Sequence, residues 1–359
     1  MSKTIQLPRF TIGTDAFDRF KTEMGRFGSR VFIIHGEKSW KAAEKYVMPA
    51  LEKAGLTVIG SALYGHEATF EKAKSLAEDP MMQKADMVLA VGGGKCTDTA
   101  KYAADLLNLP VFAVPTIASN CASVSQISVM YEENGVYAAT PVLKAPPVHS
   151  FIHPGIILEA PIQYLWAGIG DAMAKHVESH WSAEAGETLD YGSRLGITAG
   201  TMCFDPMAED GRKALEDAKN GQVSPELERT ILGVIVSPGI TSVSVDAAYN
   251  GGVAHALYYG LTCRKHIEKN HLHGEVVSYG TLVNLMLDGD KERFEKAYAF
   301  NRSVGLPTAL KDLELSPDDP LDDVLEITMR NQELIHVPYP VSKESIRDAI
   351  LKLEKVGEQ

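Results

Sequence analysis

Four short apolar runs separated by stretches of helical periodicity occupy the first third of the chain, and they constrain its fold more than any other feature. "RVFIIHG" (30–36), "LTVIGSALYG" (56–65), "ADMVLAVGGG" (85–94) and "LPVFAVPT" (109–116) read as buried strands. Helical patterns fill 38–54, "EATFEKAKSLAED" and "CTDTAKYAADLL" between them. Alternation of strand and helix at this spacing argues for a parallel, Rossmann-like sheet.

From about residue 157 the texture changes. "APIQYLWAGIGDAMAKHVESHWSAE", "SPELERTILGVIVSPGI", a glycine-interrupted run from about 243 to 265 and further helical patterns predict an all-α second half. Pro154, Gly155 and Pro161 in "SFIHPGIILEAP" mark the connection. The expected division is an α/β dinucleotide-binding domain over 1–157 and a helical metal- and substrate-binding domain over 158–359, with a small-molecule cleft where the two meet. A chain of 359 residues accommodates this at roughly 150 residues per domain. There is no internal repeat and no low-complexity segment.

Composition narrows the partners. Forty-five per cent apolar and 23% charged residues describe an ordinary globular protein. The net charge of −12, without a basic run or basic–aromatic stripe, excludes nucleic acid as a natural partner. No stretch approaches the roughly 20 apolar residues that span a bilayer, and "MSKTIQLPRFTIG" lacks the apolar core of a signal peptide. Cys96, Cys121, Cys203 and Cys263 are scattered, which disfavours a disulfide framework or a structural zinc site. A cytoplasmic setting and a small-molecule substrate are expected.

"AVGGGKCTDTAK" puts three glycines between a strand and a helix. Backbone N–H groups at such a helix start form a phosphate cradle, and the missing side chains allow close approach of a pyrophosphate. The stretch is not a P-loop, since Leu89 stands where glycine is needed and Cys96 where serine or threonine is; the GxGxxG pattern is absent too. A tight turn without ligand is the competing reading.

Candidate metal ligands come from three places: Asp171 in "AGIGDAMAK", His255 in "GGVAHALYYG", and His271 or His273 in "HLHGEVVSYG". Positions i and i+2 of a helix point roughly 200° apart, so if that segment is helical only one of the last pair can reach the ion. The remaining histidines, among them His153, His176, His180, His266 and His336, read as surface or satisfied core residues.

"GGGKCTDTAK" with "VPTIAS" resembles the glycerol dehydrogenase branch of the iron-containing alcohol dehydrogenase superfamily. The resemblance implies a dehydroquinate synthase-like architecture. It assigns the dinucleotide pyrophosphate to Gly92, Gly93 and Gly94 with Lys95, a capping or nicotinamide-side role to Asp98, and cofactor contacts to Thr116, Ser119 and Ser125. In that family two histidines 18 residues apart join one aspartate around a divalent metal, which selects His273 with His255 and Asp171. "AHALYYGLT" and "LHGEVVSYG" match the family's surrounding stretches. A fourth ligand found in other branches falls on Lys175, with His176 one place away from that face. The implied chemistry is hydride transfer between NAD(P)(H) and an alcohol or carbonyl, with Zn²⁺, Fe²⁺ or Mn²⁺ suited to the donors. Members are commonly oligomeric, so a homo-oligomer is expected.

Two departures refine the expectation. Where the family carries an aspartate for the adenosine ribose, this chain has Gly36, with Lys38 nearby; this favours NADP(H), while Glu37 next in line is able to keep NAD(H). Where glycerol dehydrogenases carry an aspartate near the polyol, it has Cys121, preceded by Asn120. "PTIASNCASVSQISVMYEENG", "QYLWAGIGDAMAKHVES" and the tail "LIHVPYPVSKESIRDAILKLEKV" most resemble a bacterial subgroup, hydroxycarboxylate dehydrogenase A. That resemblance implies 2-oxo acid/2-hydroxy acid interconversion ahead of polyol oxidation. A lyase related to dehydroquinate synthase and a dinucleotide binder without catalysis are the alternatives of other classes; the former's additional basic residues are not found, and the intact Asp/His/His set opposes the latter.

Overall fold

Among the described residues eight strands form in chain order: β1 (Arg9–Ile12), β2 (Arg30–His35), β3 (Thr57–Leu63), β4 (Met87–Gly92), β5 (Val111–Pro115), β6 (Met130–Tyr131), β7 (Tyr137–Ala139) and β8 (His149–Ile152). The computed structural model describes residues 4–183, 189–245 and 249–357. It divides into two compact units, residues 1–161 with 221–223, and 162–220 with 224–359.

In the first unit six strands make one sheet in the order β1-β8-β5-β4-β2-β3, every pairing parallel. All residues of β4 and β5 are buried, as strands covered on both faces must be. Side-chain alternation sorts the core into two layers. Val31, Ile33, Leu89 and Val91 meet Ala43, Val47 and Leu51 of the helix Glu37–Lys53 on one face. Phe32, Ile34, Val88 and Ala90 meet Ala73 and Leu76 of Phe70–Ala77 and Ala100, Ala103 and Ala104 of Gly94–Leu107 on the other. The helices leaving neighbouring strands β2 and β4 therefore depart to opposite faces. This is the topological switch point at which open α/β sheets bind ligands.

The four strands read from sequence are β2 to β5. The flanking β1 and β8 were not anticipated: "RFTI" lies on a sheet edge with its first two residues exposed, and "HSFI" carries two polar residues at buried positions. The stretch "SFIHPGIILEAP", read as a connection, thus supplies a strand and then the short helix Pro154–Ile157. The hairpin β6–β7 is too short to leave a periodic signal.

The described residues of the second unit are helical, as expected. Their principal helices are Gln163–Ala183, Tyr191–Gly200, Asp205–Lys219, Pro225–Ser244, Val253–Leu261, His273–Asp288, Lys291–Val304, Asp322–Arg330 and Lys343–Val356. Polar residues set several starts: Asp190, Ser224, Asp290 and Ser342 each accept from a backbone N–H one turn on. The glycine-interrupted run over about 243–265 comprises the end of Pro225–Ser244 and the helix Val253–Leu261, with 246–248 outside the described residues. Among the described residues no helix is long and apolar enough to cross a membrane.

Candidate active site

Glycines bring the three proposed metal ligands together. A Cβ on Gly274 would lie 2.0 Å from the Ala167 carbonyl oxygen, and one on Gly170 2.6 Å from the Gly274 carbonyl oxygen. Helices Gln163–Ala183 and His273–Asp288 therefore cross with their backbones touching, which sets His273 in the first turn of its helix against Asp171. A Cβ on Gly280 would lie 2.6 Å from the Ala254 carbonyl oxygen, so Val253–Leu261 approaches equally closely and delivers His255.

The result is a compact donor set. His255 Nε2 and His273 Nε2 stand 3.4 and 3.3 Å from Asp171 Oδ1, and one donor atom from each residue lies within 4.8 Å of the others. Donors held 2.0–2.2 Å from a tetrahedrally bound ion are roughly 3.4 Å apart. Two imidazole nitrogens and a carboxylate at this spacing fit Zn²⁺, Fe²⁺ or Mn²⁺. His273 is 45% exposed against 19% for Asp171 and 17% for His255, so the cluster is open on the His273 side.

The electrostatics agree. Burial works against charge on Asp171, yet hydrogen bonds from His255 and His273 hold its carboxyl far below the ordinary range. Burial also opposes charge on His255, but Glu178 and Asp171 overcome it and raise the imidazole to about 10. A metal binding at Nε2 of His255 has to displace a proton from that ring. Tyr258 stands edge-on to the His273 ring at 4.3 Å, and burial pushes its hydroxyl up to about 12.

The other candidates in this unit fall elsewhere. His271 is not helical: it ends the short helix Lys265–Asn270 in extended conformation, with Nδ1 2.8 Å from Glu275 Oε1. The i, i+2 argument therefore does not describe it; Glu275, which also accepts from the Leu272 N–H at 3.0 Å, holds it away. Lys175, at the fourth-ligand position of other branches, donates to the Asn250 carbonyl at 2.7 Å. His176 is buried, its ring 5.6 Å from His180 and 5.8 Å from Phe204.

The glycine turn occupies the switch point. Gly92 ends β4, Gly93 precedes and Gly94 begins the helix Gly94–Leu107. None of the three has positive φ; what the missing side chains supply is room. A Cβ would lie 2.6 Å from Cys96 Cβ at Gly92, 2.6 Å from Ile117 Cδ1 at Gly93 and 2.6 Å from Asn120 Nδ2 at Gly94. Cys96 is buried beneath the turn with Sγ 3.5 Å from the Val91 carbonyl. Across the crevice Gly36 caps the helix Glu37–Lys53, and Ser39 Oγ lies 3.1 Å from the carbonyls of both Gly36 and Val91, tying the two strand ends together.

Thr116 is buried, its N–H donating to the Gly92 carbonyl at 3.2 Å, while Ser119 and Asn120 are half-buried in the loop that follows. Lys95 pairs with Glu67 and lies 5.3 Å above the Tyr131 ring. Lys38 is exposed. The capping role for Asp98 does not hold: its buried carboxyl pairs with Lys101 Nζ at 2.9 Å, and Lys101 reaches on to Ser125 and the Ile127 carbonyl. Asp98 and Ser125 thus belong to one buried network that fastens the 120–128 loop to the helix. Burial pushes the Asp98 carboxyl up against the opposing pull of Lys101. Cys121 is half-buried, its carbonyl accepting from Val124 and Ser125 at 2.9 Å.

Sequence reading missed Glu178 and the role of Gly170, Gly274 and Gly280. Glu178 accepts from the His255 backbone N–H at 2.8 Å and faces His255 Nδ1 at 2.5 Å. It is seven residues after Asp171 and hence on the same helix face, which was the available signal.

A switch-point glycine turn on a parallel sheet, joined in one chain to a helical unit carrying an Asp/His/His cluster, defines an oxidoreductase of the iron-containing alcohol dehydrogenase family, and the chain belongs to that family. The family's own description, iron-containing alcohol dehydrogenase, matches residues 8–154. Glycerol dehydrogenase of Thermotoga maritima is 30% identical over 366 residues, covering 99% of this chain and 98% of the relative. Hydroxycarboxylate dehydrogenase A of Escherichia coli K12 is 33% identical over 329 residues, covering 91% and 90%. Among solved structures, a probable glycerol dehydrogenase from Sinorhizobium meliloti superposes with a TM-score of 0.84 at 27% identity, over 99% of each chain.

Proposed function

We propose that this chain reduces small 2-oxo acids to 2-hydroxy acids, and the reverse, with NADP(H) and one divalent metal. The observation that carries the metal-dependent reading is the convergence of Asp171, His255 and His273, with Oδ1 3.3–3.4 Å from both imidazoles. A divalent ion bound there would polarise a substrate carbonyl oxygen and stabilise negative charge developing on it. The chain's own groups supply the rest. The N–H groups at Gly93 and Gly94 present the start of a 14-residue helix to a pyrophosphate, and the Asp98–Lys101–Ser125 network holds the neighbouring loop still.

The substrate class follows from residues 120–121. Asn120 stands over Gly94, so this pair adjoins the turn assigned to the dinucleotide. With Asn120 and Cys121 there, no carboxylate from these two positions repels a substrate carboxylate. A 2-oxo acid also brings its own pair of oxygens to a metal. Gly36 and the exposed Lys38 at the β2 end favour the 2′-phosphate of NADP(H) over the bare ribose.

Polyol oxidation is the second reading, favoured by relatives named glycerol dehydrogenase in Thermotoga maritima, Pseudomonas putida and Citrobacter freundii. A panel of glycerol, other polyols, simple alcohols and 2-oxo acids, run with NADH and NADPH under defined metals, separates the two. Turnover of 2-oxo acids with NADPH at least tenfold above the best polyol is expected. Efficient glycerol oxidation with no turnover of 2-oxobutyrate or 2-oxoglutarate would overturn the substrate assignment. Net consumption of NADPH distinguishes either from a lyase that uses the dinucleotide only transiently.

A further inference from the structure

The face of the helix Gln163–Ala183 that carries Asp171 continues as a polar stripe: Lys175, Glu178 and Ser182 follow at helical spacing. All three bind the chain segment leading into His255. Lys175 Nζ donates to the Asn250 carbonyl at 2.7 Å, and Ser182 Oγ donates to the Gly251 carbonyl at 2.7 Å. Glu178 takes both the backbone N–H of His255 at 2.8 Å and its ring Nδ1 at 2.5 Å. The side chain of Glu178 is fully buried, and a Cβ on Gly252 would lie 3.0 Å from its Cγ, so glycine at 252 is what lets the segment approach.

A buried carboxylate with two donors is not incidental. An ionised carboxylate only accepts, so Nδ1 of His255 must carry a proton and the lone pair of the neutral ring must sit on Nε2. Nε2 is the nitrogen 3.4 Å from Asp171 Oδ1. We infer that Glu178 is a positioning residue for the metal site, fixing the tautomer and ring plane of His255 so that Nε2 is the ligating atom. The inference rests on the metal-site reading above and extends it to a residue that does not touch the ion.

Glutamine is nearly isosteric but cannot replace it. Both partners of Glu178 are donors, and an amide offers one acceptor oxygen and one NH₂. Either the His255 backbone N–H faces an NH₂, or Nδ1 does. In the second case the ring is driven to the opposite tautomer, with a proton on Nε2. Aspartate retains both acceptor oxygens on a shorter stem.

The test uses full-length protein stripped with a chelator and titrated calorimetrically with Zn²⁺ at fixed pH. Wild type is expected to bind one equivalent, and E178Q to bind it 10–100-fold more weakly, with a metal-free melting curve close to wild type. E178D is expected to recover part of the affinity. E178Q binding Zn²⁺ within threefold of wild type would overturn the inference while leaving the metal site standing. Wild type taking up no metal, in the same way as D171N, would instead sink the metal reading beneath it. Should E178Q fail to fold, zinc-loaded wild type still decides: long-range ¹H–¹⁵N spectra should show His255 metallated at Nε2 and protonated at Nδ1. Metal on Nδ1 would refute the assignment.

Discussion

The glycine turn and the Asp171–His255–His273 cluster use glycine for the same purpose at different ranges. At the turn, Gly92, Gly93 and Gly94 make room for Cys96, Ile117 and Asn120, all within about 30 residues. At the cluster, Gly170, Gly274 and Gly280 let three helices touch whose ligands are spread over more than a hundred residues. Neither set has positive φ. Close approach, not backbone conformation, is what glycine serves in both, against backbone at the cluster and against side chains at the turn. The turn presents backbone N–H groups and needs only local order, whereas the cluster presents side chains and depends on helix crossings.

That contrast predicts separable losses, the largest at the cluster. D171N removes the carboxylate charge shared by both imidazoles. A bound metal's stabilisation of developing charge is worth several kcal/mol, and each 1.36 kcal/mol is tenfold in rate. Turnover should therefore fall about a thousandfold or more. NADPH affinity, measured by quenching or enhancement of its fluorescence, should stay within about twofold. A parallel loss of dinucleotide binding would show that the two regions are not independent.

The next effect separates the two sets of glycines by stability. In G274A the new methyl meets a backbone carbonyl at 2.0 Å, which can yield only if the helices part. Overpacking against backbone at a helix crossing should cost about 3 kcal/mol in chemical denaturation and weaken metal binding with it. In G93A the neighbour is the tip of Ile117, a flexible side chain, so the same methyl is accommodated far more cheaply. G93A should leave the denaturation midpoint nearly unchanged and raise the dinucleotide Kd. Equal destabilisation by both would erase the distinction.

The same contrast explains what could be read from the sequence. The turn is contiguous, so its strand, glycines and helix announce themselves in "AVGGGKCTDTAK"; strands β4 and β5 stand out because every residue is buried, and β2 because its four central residues are. The ligands needed the family's 18-residue spacing to choose His273, since helix geometry alone left His271 and His273 as alternatives. Glu178 was hidden because a buried glutamate on a helix is indistinguishable from a solvated one until its partner, His255, is known to lie opposite. For Asp98 the resemblance implied a capping or nicotinamide-side role; the capping half fails because burial beside Lys101 decides its contacts. Edge strand β1 and its neighbour β8 lack the apolar signal, because what stabilises them is pairing with a strand far away in sequence.

Acid should test both units at once. His149 and His153 in the first unit and His176 in the second are buried. Burial is the main cause that lowers all three, taking His149 and His176 to about 4. Glu23 pulls His149 back up while Arg9 and Arg26 push it down, and Arg293 adds to the burial of His176 against Asp205 and Asp290. Unfolded, each imidazole titrates near 6.5, so between pH 6.5 and 4 the unfolded chain binds more protons than the native one. Stability is then fully present above 6.5 and is lost as pH falls toward 4, by about 1.4 kcal/mol per pH unit for each such group. Burial also raises the Asp288 carboxyl to about 7, which opposes part of this loss over the same range; denaturation midpoints measured from pH 7.5 to 4.5 should still fall below 6.5, and midpoints that rise instead would mean these histidines are already solvated.

The smallest effect concerns the crevice across from the glycine turn. Gly36 has φ −90° and ψ 157°, an extended conformation open to any residue, so glycine is not required there by its backbone. Its missing Cβ faces Ser39 Oγ at 2.8 Å and Tyr64 Cε1 at 3.2 Å, both on side chains able to shift. G36D should therefore fold. It also places an aspartate at the start of Glu37–Lys53, where a side-chain oxygen caps free N–H groups. A carboxylate there can accept from ribose hydroxyls but repels a 2′-phosphate. The ratio of kcat/KM for NADPH over NADH should drop about tenfold, roughly 1.4 kcal/mol of discrimination. Metal affinity and the kcat split between substrates should not move, because the change touches only the unit that reads the dinucleotide. A G36D variant with an unchanged ratio for NADPH over NADH would place the choice at other residues of that crevice.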